Sequence, residues 1–206
     1  DVEVHRKKDP QWIHAHNTYA TPTPVIEAGR LYCHFGTFGT FCVDTGDGRV
    51  LWSNTSLQVN HDNGPVSSPV LWKDRVIFHA DGFDTQFVAA LNKRDGATAW
   101  VTRRGATPSE YTNLNKCYAT PLVVEAGGPP VLVSNAANWL YGYDPATGTV
   151  GDATSISVTR DANGNAVVPV LNGFGLGILA ALVALLSGIA APAPAARCAI
   201  RLARRE

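Results

Sequence analysis

The chain has 206 residues, room for one or two domains. Its 17 basic and 17 acidic residues cancel to zero formal charge, which argues against the clustered basic face that a nucleic-acid surface needs. Gly (19) and Pro (13) are plentiful between short aromatic and β-branched runs, a pattern of many short strands and turns rather than long helices.

Taken from the start, the chain contains no Met, so Asp1 reads as a processed or truncated beginning. No basic-then-apolar leader is visible, and that says nothing about export if the stretch is missing. His14-x-His16 would turn two rings to one face of an extended segment. With His34, His61-Asp62 and His79 they are candidate metal ligands, against the plainer reading of loop histidines making ordinary hydrogen bonds. The four cysteines, Cys33, Cys42, Cys117 and Cys198, show no zinc spacing.

A unit then recurs. It opens at Thr23-Pro24-Val25, Ser68-Pro69-Val70 and Thr120-Pro121-Leu122, each leading into an apolar strand. A polar or glycine turn follows (residues 27–29, Lys73-Asp74, and residues 127–128), then a second strand (31–35, 76–79, 131–133). The third strand ends at Asp44, Asn92 or Asp144; three residues on comes Asp47, Asp95 or Thr147, and directly after it Gly48, Gly96 or Gly148. Trp52 and Trp100 stand four positions past the glycine. Asp or Asn caps such a hairpin, glycine supplies its positive φ, and the returning strand holds the indole at a fixed place. The prolines recur at intervals of 45 and 52 residues and the tryptophans at 48. Four strands in about 40–50 residues is the period of a propeller blade. The third unit has Asp152 where Trp is due, so its last strand is expected to be missing or degenerate.

Within the first unit, a turn centred on Thr37-Phe38 would set Cys33 directly across from Cys42, at disulfide distance. The alternative is two small residues packed in the sheet. Asp81, Asp84 and Asn135 fall in loops between strands, where they could line a channel, but nothing in the sequence singles them out. No GxSxG, P-loop or dinucleotide fingerprint occurs.

Residues 162–196 carry no charge, and 173–191 form an apolar run broken only by Ser187. As a helix this run is about 28 Å long, the thickness of a bilayer core. Arg197, Arg201, Arg204 and Arg205 follow and would stay cytoplasmic, leaving the repeats outside. A buried helix and an out-of-frame, alanine-rich translation product are the alternatives.

The Asp/Asn-x-x-Asp/Thr-Gly-x-x-x-Trp tail resembles the tryptophan-docking motif of pyrroloquinoline-quinone (PQQ) repeat propellers. The closest likeness is to the envelope group around the scaffold lipoprotein of outer-membrane protein assembly. The resemblance runs from about Ile13 to Val150. It implies that the Trp of one blade packs on its neighbour, with Trp52, Trp100, Gly48, Gly96, Gly148, Asp44, Asn92 and Asp144 as the docking residues. It also implies that the three blades are part of a ring of about seven or eight. The proline at Pro169, the apolar run and the arginines resemble bacterial C-terminal sorting signals.

The fold expected is therefore all-β, a partial propeller of three four-stranded antiparallel blades followed by one hydrophobic α-helix. Residues 1–158 hold blades at about 19–58, 64–105 and 117–155. A linker (159–170), a membrane or sorting helix (171–192) and a basic tail (193–206) complete the chain. The function expected is a non-catalytic, exported module that binds a protein partner or an extracellular ligand and reaches the membrane through 171–192, with no catalytic residue, metal or cofactor and no nucleic acid. Two alternatives stand beside it. One is a piece of a quinoprotein dehydrogenase, a relative within the resemblance that holds PQQ and calcium; this chain lacks the adjacent cysteine pair found in such enzymes. The other is a truncated gene product with no function of its own.

Overall fold

The computed structural model describes residues 2–61, 63–104, 116–125, 128–136, 139–155, 159–160 and 166–167, with side chains described up to Gly151. Three four-stranded antiparallel sheets follow one another along the chain. Sheet 1 comprises β1 (Val25–Glu27), β2 (Arg30–His34), β3 (Thr40–Asp44) and β4 (Val50–Asn54). Sheet 2 comprises β5 (Val70–Trp72), β6 (Arg75–Asp81), β7 (Gln86–Asn92) and β8 (Thr98–Arg103). Sheet 3 comprises β9 (Leu122–Val124), β10 (Val131–Ala136), β11 (Trp139–Tyr143) and β12 (Val150–Ser155). In each sheet the strands lie side by side in chain order, as the repeat requires.

The hairpin between the third and fourth strands is built the same way three times. The amides of Gly48, Gly96 and Gly148 donate to the carbonyls of Asp44, Asn92 and Asp144 at 2.9, 2.9 and 2.8 Å. The three glycines have φ of +77°, +72° and +72°, a region that a Cβ would strain. Oδ1 of Asp44 and of Asp144 accepts the amide two residues on, and Asp47, Asp95 and Thr147 accept those of Arg49, Ala97 and Thr149. Asn92 departs from this: its Oδ1 takes a hydrogen bond from Arg75 instead. Every copy then carries a bulge in the ladder just past the turn, at Cys42/Val43, Ala90/Leu91 and Tyr141/Tyr143.

Two expectations need correction. The last strand of the third unit is present: β12 pairs with β11 through Tyr143↔Val150, Tyr141↔Ala153, Leu140↔Thr154 and Trp139↔Ser155. A main-chain ladder started by the Asp144–Gly148 hairpin does not depend on an indole at position 152. The cysteines, in turn, are not opposed. Gly36–Phe38 forms a 3-10 turn closed by Phe35 donating to Gly39, which shifts the register by one. Cys33 faces Phe41 and Cys42 faces Tyr32, so the two thiols point to opposite sides of the sheet, and both are free.

The core lies between sheets. Tyr32, Cys42 and Trp52 from sheet 1 meet Val76, Phe78, Ala89 and Leu91 from sheet 2. Ile77, Val88, Ala90 and Trp100 on the other side of sheet 2 meet Leu132 and Tyr143 of sheet 3. Sheet 2 is thus apolar on both faces, which accounts for the uninterrupted apolar runs of β6 and β7. The Ser/Thr-Pro openings have a structural use as well. The amide of Thr23 donates to Oγ of Ser68 at 2.9 Å, and that of Ser68 to Oγ1 of Thr120 at 3.4 Å, linking equivalent places in all three sheets.

Residues 159–170, read from the sequence as a linker, include a short antiparallel pair, β13 (Thr159–Arg160) with β14 (Ala166–Val167). Among the described residues no helix is long and apolar enough to cross a membrane. The apolar run 171–192 and the tail 193–206 lie outside the described residues, as do Asp62, Gly127 and Cys198.

Candidate binding face

The residues singled out from the repeat come together at the turn end of the sheets. Trp52 and Trp100 are both buried. Each lies on the turn of the following sheet: a Cβ built on Gly96 would overlap Cε3 of Trp52, and one on Gly148 would overlap Cε3 of Trp100. Both indole N–H groups donate to a carbonyl of that turn, Trp52 to Lys93 at 2.8 Å and Trp100 to Pro145 at 3.2 Å. Two residues further along, the side chains of Asn54 and Thr102 donate to the carbonyls of Gly96 and Gly148 at 2.8 and 2.6 Å. Glycine is needed here for space as well as for φ. Lys93 adds an ion pair to Glu27 at 2.7 Å, and Trp72 donates to Glu125 at 2.6 Å.

The opposite end is polar. His34 and His79 occupy equivalent positions in β2 and β6, and each faces the next sheet. His34 stacks on Phe78 with ring centroids 4.0 Å apart and pairs through Nδ1 with Oγ1 of Thr40 at 2.9 Å. His79 pairs through Nδ1 with Oγ of Ser134 in β10 at 2.9 Å. Burial, and then the neighbouring His61, push the His34 imidazole down to about 3. Burial followed by the Arg104 charge holds His79 well below its ordinary value.

Beside His79, Arg104 and Asp81 form an ion pair at 3.0 Å with almost no solvent exposure. Arg104 also donates to the carbonyl of Asn135 at 2.6 Å and to Oγ of Ser134, tying sheet 2 to sheet 3. Oδ2 of Asp81 accepts the amide of Cys117 at 3.0 Å. Burial still wins over these two partners and pushes the Asp81 carboxyl up to about 6. Among the described residues Oδ1 of Asp81 and Nε2 of His79 have no hydrogen-bond partner. Both line a cleft shared with His34, His61, Ser67 and Cys117, with about 10 Å³ of room. That is space for a single water.

Above this cleft, four loops are stitched into one surface. Gln11 donates to Asn60 at 2.7 Å and accepts from the amide of His61 at 2.8 Å. Asp84 accepts the amide of Asn60 at 2.8 Å, the amide of Phe83 donates back to Asn60 at 3.0 Å, and Asn63 donates to the hydroxyl of Tyr118 at 2.7 Å. Trp12, Phe83 and Tyr118 stand out of this surface at 67, 41 and 42 % exposure. Lys116 lies over the Phe83 ring at 3.8 Å.

Asp81 and Asn135 are therefore strand residues, not loop residues as the sequence suggested, while Asp84 is in a loop as expected. His14 and His16 meet edge to face, with ring centroids 4.6 Å apart. Among the described residues no group of three His, Cys, Asp or Glu is arranged to hold a metal ion. Sequence reasoning missed Arg104 and the loop aromatics. The amide of Arg104 pairs with the carbonyl of Gln86, which is opposite Asp81, so the three share one row across sheet 2, a placement visible only once the register of the ladder is known.

Known proteins bear on this arrangement as follows. The family model described as outer membrane protein assembly factor BamB matches residues 6–173. No curated protein sequence matches the chain. Among solved structures, BamB from Moraxella catarrhalis is 16% identical with a TM-score of 0.49, over 70% of this chain and 40% of that one. Two quinohemoprotein alcohol dehydrogenases are also similar. The Comamonas testosteroni enzyme is 10% identical (TM-score 0.49, 65% of this chain and 27% of that one), and ADHIIG from Pseudomonas putida HK5 is 20% identical (TM-score 0.48, 78% and 23%). The chain thus spans less than half the length of each of them. Its match to the family model covers most of its length, including all three sheets, and the chain belongs to the PQQ-like β-propeller family described by that assembly factor.

Proposed function

We propose that this chain is a non-catalytic propeller module that binds a protein partner through the loop face carrying Trp12, Phe83 and Tyr118. The observation behind it is that face itself. Three exposed aromatic side chains stand on loops held by mutual hydrogen bonds, and aromatic side chains on a rigid support are the usual anchors of a protein interface. An assembly factor's family is a fitting home for such a face. In this reading the module is exposed in the cell envelope, and residues 171–192 anchor it with the basic tail, 193–206, in the cytoplasm.

The dehydrogenase reading has less support. Arg104 and Asp81 are taken up with each other and with sheet 3, and the cleft beside them has room for a water, not for a tricyclic quinone. A photo-crosslinking residue placed at Phe83 or Tyr118 in the envelope of the source cells should give one discrete adduct. The same residue at Arg94, on the turn end, should give none. Tight retention of PQQ in the presence of calcium, with dye-linked oxidation of an alcohol or sugar, would instead favour the dehydrogenase and overturn the proposal.

A further inference from the structure

Two aromatic residues of the loop face depend on one buried carboxylate. Asp81 is the last residue of β6, and the turn that follows carries Phe83 two positions on. Oδ2 of Asp81 accepts a hydrogen bond from Arg104 at 3.0 Å and a second from the amide of Cys117 at 3.0 Å. Arg104 directly follows β8 and Cys117 precedes β9, so one oxygen fastens the chain where it leaves sheet 2 and again before it enters sheet 3. Lys116, just before Cys117, lies over the Phe83 ring, and Tyr118, just after it, takes a hydrogen bond from Asn63. Asp81 thus joins Phe83 to Tyr118, by the chain on one side and by the Cys117 amide on the other. Its other oxygen is differently placed. Oδ1 has no hydrogen-bond partner among the described residues, and Asp81 lines the small cleft that a single water can enter. A proton arriving from that water goes to Oδ1, because Oδ2 is occupied by two donors. It leaves Oδ2 as a carbonyl oxygen and takes the charge out of both bonds, and a charge-assisted bond is about twice as strong as a neutral one.

We propose that Asp81 is a proton-operated clamp on the loop face: ionised, it holds Cys117 and Tyr118 to sheet 2, and a proton on Oδ1 loosens them. Burial, working against the Arg104 charge and the Cys117 amide, sets the change near pH 6. The proton relieves a buried negative charge, which is why it is taken up so readily, while the contacts made by that charge weaken. The other groups facing Asp81 hold their state through this range or can be separated from it. Arg104 supplies a fixed positive charge. His34 and His79 are kept uncharged by burial, and burial pushes Tyr141 and Tyr143 of β11 upwards. His61 and Cys117 line the same cleft, with Lys116 and Tyr118 on either side of Cys117. The effect on a partner rests on the loop-face reading above; the clamp itself is a property of this chain.

The test titrates the whole chain, labelled with carbon-13 and nitrogen-15, between about pH 7.5 and about pH 5. The Asp81 carboxyl carbon and the Cys117 amide should shift together, with a midpoint of about 6. Protection of the Cys117 amide against hydrogen exchange, corrected for its intrinsic rate, should fall about fivefold over the same range. Asp81→Asn holds the neutral form permanently, so its Cys117 amide should be weakly protected throughout and should not titrate. His61→Gln is the second variant and should leave the midpoint where it is. In envelopes equilibrated at the two pH values, a photo-crosslinking residue at Tyr118 should give several-fold less adduct at the lower one. The proposal is overturned if the Asp81 carbon does not titrate in this range, if the Cys117 amide does not follow it, or if Cys117 titrates unchanged in Asp81→Asn. A midpoint that moves with His61→Gln, or an adduct that ignores pH, overturns it as well. A Cys117 amide that titrates as expected, with no adduct at either pH, would keep the clamp and remove the loop-face reading.

Discussion

The two junctions between sheets are alike at one end and different at the other. At the turn end, Trp52 on Gly96 and Trp100 on Gly148 repeat down to the carbonyl that accepts each indole N–H. At the far end, sheets 1 and 2 meet through His34 stacked on Phe78, whereas sheets 2 and 3 meet through His79, Ser134, Asp81 and Arg104. The repeated end is set by backbone geometry, which a short motif can encode and copy. The variable end is set by side chains reaching across to a neighbour, where each junction is free to use its own chemistry.

The largest expected effects test the shared end. Trp52→Ala and Trp100→Ala should each cost about 3–5 kcal/mol in urea unfolding, because both rings are buried and their removal leaves a cavity on a turn that cannot collapse. A loss below about 1 kcal/mol for either would mean that its junction is held by something else. The next effect separates the junctions. Arg104→Met should cost about 3 kcal/mol or more by leaving Asp81 buried without its counter-charge. Adding Asp81→Asn should recover part of the loss, since an amide tolerates the site better than a lone carboxylate. A double variant no more stable than Arg104→Met would show that the pair contributes through packing and not through charge.

What was legible in the sequence follows the same division. The hairpins at Asp44, Asn92 and Asp144 were readable because a capping side chain and a glycine of positive φ leave few residue choices at fixed spacing. The indoles keep a constant distance from that glycine in the sequence, and in the structure each lies on the glycine of the following turn. The cysteine pairing failed because Gly36–Phe38 forms a 3-10 turn, and one residue of register moves a side chain to the other face. The loss of the fourth strand in unit three was inferred from a missing side chain, although β12 rests on main-chain pairing. The row of Asp81, Gln86 and Arg104 was hidden by the bulge at Ala90/Leu91, which defeats a simple count outward from the turn. The loop aromatics carry no periodic signal at all, since loops are positioned by the sheets beneath them.

The smallest effect is a pH dependence in which the two junctions oppose each other. The unfolded chain takes up a proton on each histidine near 6.5, while folded His34 resists protonation down to about 3 and folded His79 also resists it well below its usual value. Between those limits the unfolded state binds more protons. The histidine contribution is therefore complete above pH 6.5 and is lost as the pH falls below it, down to about 3 for His34. Asp81 acts the other way. Its folded value of about 6 lies above the unfolded 3.8, so its contribution is complete below about 4 and lost as the pH rises through 6. From pH 6 to pH 5, two imidazoles act against one carboxyl, and stability should fall by about 1.5 kcal/mol. His34→Gln keeps a hydrogen-bonding group near Thr40 and removes one proton from the balance, so its stability should be nearly flat over that unit. Asp81→Asn should steepen the dependence by roughly two-thirds. Parallel profiles for the wild type and both variants would show that neither group titrates between the sheets.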